Sequence, residues 1–146
     1  MFSRLSELAD ALTPDPLSEV LQDLRIAGVS YGRCQLSSPW GIDFAPQRAA
    51  RFHFVAAGAC WLHTAALGWL PLRAGDVVLL PHGRGHALAD TAGGPTRPLD
   101  KFPLEQIGER TYRLCAGGGG TRALLLCCSV SFEAPAVHPL LDRPGA

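Results

Sequence analysis

The chain has 146 residues, 47% of them hydrophobic, and thirteen basic side chains balance thirteen acidic ones. That length fits one domain with a sizeable core, and zero net charge weighs against nucleic-acid binding by this segment, which would draw on a basic face. No leader-like stretch opens the chain and no apolar run is long enough to cross a bilayer, so a soluble, cytoplasmic protein with no membrane partner is expected.

Residues 1–14 read as a flexible segment. Asp15-Pro16 then has the form of an N-cap followed by a first-turn proline, and Leu17, Val20, Leu21 and Leu24 recur at helical spacing as far as Gly28. This predicts one short amphipathic helix covering a side or end of the fold. From Val29 the pattern changes to short extended runs punctuated by Gly and Pro. Strands are expected at 29–36, towards Phe44 after the Ser38–Gly41 turn, and at 51–56, 60–64, 68–72, 77–80 and 86–89. The proline- and glycine-rich region 91–110 reads as a surface excursion with a helical turn at Leu104–Ile107. Thr111–Ala116 and Thr121–Phe132 are expected to form a hairpin around the Gly117–Gly120 run, a mobile tip rather than a phosphate cradle. Val137–Leu141 would begin a C-terminal helical segment. Many short strands predict a barrel or sandwich.

The stretch from Gly75 to Asp90 is the most specific in the chain. Val77–Leu80 runs into Pro81-His82-Gly83, and a second short strand begins at His86, so strand, tight turn and strand follow one another. Gly75, Pro81, Gly83 and His86, with Asp90 where asparagine is usual, resemble the second conserved motif of the cupin β-barrels. The resemblance implies an all-β fold, a double-stranded β-helix (cupin or jelly-roll barrel) with a short N-terminal helix and a C-terminal helical segment, and residues 15–146 as a single domain. It also implies a first motif in which two histidines and a glutamate bind a metal. If Gly58 ends that motif's strand, the glutamate position holds Arg51, and Phe44–Arg48 contains no histidine.

Other donors remain. His53 lies two residues from Arg51, so on a strand both project from one face, the interior in this alignment. His86 would also point inward, and either Cys127 or Cys128, but not both, could share the cavity, because neighbouring strand residues face opposite ways. His53, His86 and one of these cysteines make a chemically reasonable zinc set. The alternative is a hydrogen-bonded histidine beside cysteines acting as small hydrophobes. Arg51, if it points into the barrel, would meet an anionic ligand or an acidic side chain, or at the mouth be solvated. Trp40, Trp61 and Trp69, with Phe52 and Phe54, are candidates to line a ligand pocket or, for at least two of the tryptophans, to pack the core. His63, His82 and His138 read as surface or helix-start residues. Five cysteines (Cys34, Cys60, Cys115, Cys127, Cys128) without a CxxC pair predict reduced thiols and no disulfide framework. No nucleophile, base and oxyanion hole can be assembled from local patterns.

Further segments extend the resemblance over nearly the whole chain. Asp15–Leu21, Pro39-Trp40-Gly41, Phe52–Val55 leading through Gly58 to Cys60–Leu62, the glycine run before Leu126-Cys127, and His138–Leu141 look like the N-terminal cupin domain of AraC-type transcriptional regulators. That resemblance implies a non-enzymatic sensor of a small-molecule effector or metal that forms a homodimer. DNA would be contacted only through a C-terminal helix-turn-helix domain beyond this segment. The competing expectation is a small metal-dependent cupin enzyme, a dioxygenase or isomerase.

Overall fold

The computed structural model describes residues 2–4 and 25–133. Twelve strands occur among them: β1 Phe2–Arg4, β2 Arg25–Ser37, β3 Gly41–Phe44, β4 Ala50–Ala57, β5 Ala59–Thr64, β6 Gly68–Arg73, β7 Asp76–Leu80, β8 His86–Ala89, β9 Arg97–Pro98, β10 Leu104–Gly108, β11 Thr111–Gly117 and β12 Arg122–Glu133. A single 3-10 turn spans Leu99–Lys101. The strands form two sheets, ordered β1-β7-β4-β12-β2-β11-β10 and β6-β5-β8-β3-β9. Each sheet turns one face inward. The core between them is built from Leu36, Val55, Val78, Leu114 and Leu125 of the larger sheet and Ile42, Leu62 and Leu88 of the smaller. This is the all-β, jelly-roll architecture the motif implied.

Strand positions follow the sequence closely from 41 to 89, because alternating burial and turn glycines mark each boundary. Gly75 and Gly83 adopt φ of +96° and +64°. A side chain at Gly83 would also collide with the carbonyl oxygens of Gln47 and Ala49. Only glycine lets the turn after β7 dock on the Gln47 loop, with Gln47 N–H donating to the Gly83 carbonyl at 2.9 Å.

Three expectations are corrected. The N-terminal helix was expected to run to Gly28, but Arg25–Gly28 is the start of β2, recruited by pairing of Ile26 with Phe132 and Val29 with Val130. The rest of that helix, and the C-terminal helical segment, lie outside the described residues, as does most of the 1–14 segment, of which Phe2–Arg4 pairs with β7. Leu104–Ile107 is a strand rather than a helical turn, because β11 offers it a free edge, with Leu104 opposite Leu114. Finally, β11 and β12 do not form a hairpin. The long β2 lies between them, parallel to β11 and antiparallel to β12. The glycine run is accordingly no free tip: Gly118 N–H donates to the Ser37 carbonyl at 3.2 Å and Gly119 N–H to Ser37 Oγ at 3.0 Å.

Candidate functional site

β4 alternates as an interior strand should, with His53 and Val55 buried and Arg51 half-buried on one face. Its neighbour β12 sets Cys127 opposite His53 and Ser129 opposite Arg51. From the facing sheet, β3 and β8 pair Phe44 with His86. Thus two histidines far apart in sequence meet inside the barrel, where His53 is fully buried and His86 only 7% exposed.

Hydrogen-bond geometry fixes how they are protonated. His86 Nδ1 lies 2.8 Å from the Arg84 carbonyl oxygen. A carbonyl only accepts, so His86 Nδ1 carries the hydrogen and its Nε2 is a bare acceptor. His53 Nε2, 2.7 Å from His86 Nε2, must then donate. That leaves His53 Nδ1 to accept from the Cys127 thiol at 3.0 Å. Cys34, on β2 diagonally across from Cys127, lines the same cavity beside it. The result is a directional chain from Cys127 through His53 and His86 to the Arg84 carbonyl, in which both imidazoles and the Cys127 thiol are uncharged.

The electrostatics agree. Burial, then the neighbouring His86 and Arg51, hold His53 well below the usual imidazole range, and burial is the main cause that lowers His86 to about 4. Pairing with Cys34 and burial push the Cys127 thiol up, so it keeps the proton it donates. Phe44 closes the cluster from the side, stacked on His86 with ring centroids 4.8 Å apart and planes within 4°.

The donor set does not fit a single metal ion in this arrangement. An ion takes one nitrogen from each imidazole, and the two nitrogens of His53 face different partners, one towards Cys127 and one towards His86. Among the described residues, no three His, Cys, Asp or Glu side chains are grouped to hold an ion. Cys128 faces the other side of β12, opposite Phe52 and Tyr31. Cys60, in the floor of the barrel, has its thiol pushed up to about 12 by burial and the nearby Asp76.

The proposed ligand-binding residues do not assemble. Arg51 alone reaches the barrel mouth, its guanidinium carbon 5.0 Å above the Phe44 ring, where burial lowers its pKa. Trp40 is buried in the core, its edge reaching a separate cleft beside Phe102 and Gly118. Trp61 sits between the inward-facing Cys60 and Leu62 and so projects from the outer face of the smaller sheet. On the same outer face, His63 packs against Trp69 at 4.9 Å. Sequence reasoning missed Cys34 and Phe44. Phe44 stood in the window searched for histidine ligands, whereas nothing local marks Cys34, whose place depends on the β2–β12 register.

Two spaces meet at Arg51. A cavity of about 140 Å³ is walled by Cys34, Phe44, Leu114 and Cys127, and a wider cleft of about 660 Å³ is lined by Phe44, His86, Asp43 and Leu99. Arg51 and Phe44 border both. Among the described residues no helix is long and apolar enough to cross a membrane.

No curated protein and no solved structure matches the chain. A scan against known protein families matches the one described as Cupin over residues 15–143. With two facing sheets, the glycine-bounded turn after β7 and His86 returning into the interior, that match is borne by the structure as well as the sequence, and the chain belongs to the cupin family.

Proposed function

We propose that this barrel is the effector-sensing and dimerisation domain of an AraC-type transcriptional regulator, with a small molecule taken up between its sheets. The observation that carries the reading is Arg51. It occupies the position where a metal-binding cupin is expected to place a glutamate, and its guanidinium borders both the smaller cavity and the wide cleft. A fixed cation opposes a resident divalent ion at that point and suits an organic ligand. The histidines behind it bond to each other, to Cys127 and to backbone, so a structural role accounts for them. The regulator assignment rests on the resemblance of the flanking segments. Leu104 and Ile107, each 46% exposed on edge strand β10, offer apolar surface suited to a homodimer.

Occupancy would act by favouring one of two arrangements of the dimer, and DNA would be met through a domain following this segment. Sequencing the gene past the Ala146 codon tests this: a reading frame continuing into a helix-turn-helix supports it, and an immediate stop removes the carrier of DNA binding. Elemental analysis of the purified protein addresses the competing enzyme. Stoichiometric zinc, iron or manganese that disappears in both His53→Ala and His86→Ala would restore the metal-dependent reading. Sedimentation of wild type against Ile107→Glu tests the dimer.

A further inference from the structure

We infer that Arg51 and Phe44 form a carboxylate-recognition site at the barrel mouth, taking a small organic monoanion whose apolar body enters the cavity behind them. This deepens the sensor reading and rests on it. The argument starts from the guanidinium, which is half-buried, stacked over Phe44, and makes no ion pair with any described carboxylate. Two acids line the same cleft. Asp43 accepts a hydrogen bond from Thr96 Oγ1 at 2.7 Å, and Asp100 stands exposed at the rim. Among the described residues nothing therefore offsets the desolvation of this cation, and a ligand carboxylate would do so.

The class of ligand follows from what surrounds that charge. Guanidinium presents a planar fork that matches a carboxylate in two parallel hydrogen bonds. Arg51 is the one arginine or lysine among the residues lining the wide cleft, and Arg33, the other that lines the smaller cavity, is exposed, so a single half-buried guanidinium suits a monoanion better than a phosphate dianion. Behind it the 140 Å³ cavity has walls of Cys34, Leu114, Cys127 and Phe44, which accept a short alkyl chain or one ring. The ring of Phe44 both holds the guanidinium from below and offers the ligand an aromatic wall.

The test is titration calorimetry on the purified protein with benzoate, its neutral isostere benzamide, and inorganic phosphate. Benzoate is expected to bind at least tenfold more tightly than benzamide or phosphate. Arg51→Gln should lose at least tenfold in benzoate affinity with little change for benzamide. Arg51→Lys should keep part of the affinity, and Arg113→Gln, which removes an exposed cation elsewhere, should keep all of it. Folding is checked separately: ligand-free Arg51→Gln should melt at or above the wild-type temperature, because it removes a desolvated charge. Equal binding of benzoate and benzamide, unchanged benzoate binding in Arg51→Gln, preference for phosphate, or no benzoate binding would each overturn the site. A neutral compound that binds in the barrel while benzoate does not would overturn this inference and leave the sensor reading standing.

Discussion

Along the paired strands β4 and β12 the barrel interior changes character within three steps. At Val55 and Leu125, both fully buried, it is apolar. At the next inward-facing position towards the mouth, His53 faces Cys127 in a hydrogen-bonded chain, and the one after brings Arg51 and Ser129, where Ser129 accepts from Gln47 at 2.9 Å. The facing sheet follows the same order, from Ile42 opposite Leu88 to Phe44 opposite His86. The floor and the middle layer are therefore held by different physics. The floor depends on volume and tolerates any well-packed apolar group. The middle depends on direction, since each donor has one acceptor and a single wrong replacement leaves a buried polar atom alone.

Five measurements would break or sharpen that contrast. Leu125→Ala, in the floor, should cost about 4 kcal/mol in urea unfolding, as for other fully buried leucines. A loss below about 1 kcal/mol would mean that the floor is not close-packed. The middle layer should show itself in pH dependence. Unfolded His86 takes a proton near its ordinary value of 6.5, while the folded form resists until about 4. The unfolded state therefore binds more protons within that window, and stability falls as pH drops from 6.5 towards 4, being complete above it. His86 alone contributes about 3 kcal/mol to this loss, with His53 acting in the same direction. Nitrogen-15 spectra at neutral pH should find hydrogen on Nδ1 of His86 and Nε2 of His53. The opposite tautomers would break the chain at His86, since the Arg84 carbonyl cannot donate.

A fourth measurement separates direction from volume at one position. Cys127→Val should cost about 2 kcal/mol, because His53 Nδ1 loses its donor in a buried site. Cys127→Ser retains a donor and should cost under about 1 kcal/mol; equal costs for the two would reduce Cys127 to a small hydrophobe. At the mouth the sign changes. Arg51→Gln should leave stability unchanged or raised, since no described residue makes an ion pair with the guanidinium, and a clear loss would reveal a partner that holds it.

The motif around Gly75–His86 was readable because turn chemistry is local. Gly75 and Gly83 take the positive φ their positions demanded, and His86 re-enters the core as the spacing required. Arg51 and His53 sharing a face was also readable, since strand alternation is a property of adjacent residues. Facing could not be read for single aromatics: Trp40 went to the core and Trp61 to the outside, although both looked equally suited to a pocket. The alternation rule allowed one of Cys127 and Cys128 inside but could not choose between them without the β12–β4 register that sets Cys127 against His53.

By itself the sequence determined the all-β class, most strand boundaries between 41 and 89, the glycine turn and the inward pair on β4, because each depends on residues a few positions apart. Tertiary structure alone decided that β2 divides β11 from β12, that Cys34 stands beside Cys127, and that the two nitrogens of His53 serve different partners. Those outcomes rest on pairings across 33 to 74 residues or more. The side chains the sequence offered as a zinc set are likewise ordered only by these pairings, which turn His53 Nδ1 towards Cys127 and His53 Nε2 towards His86.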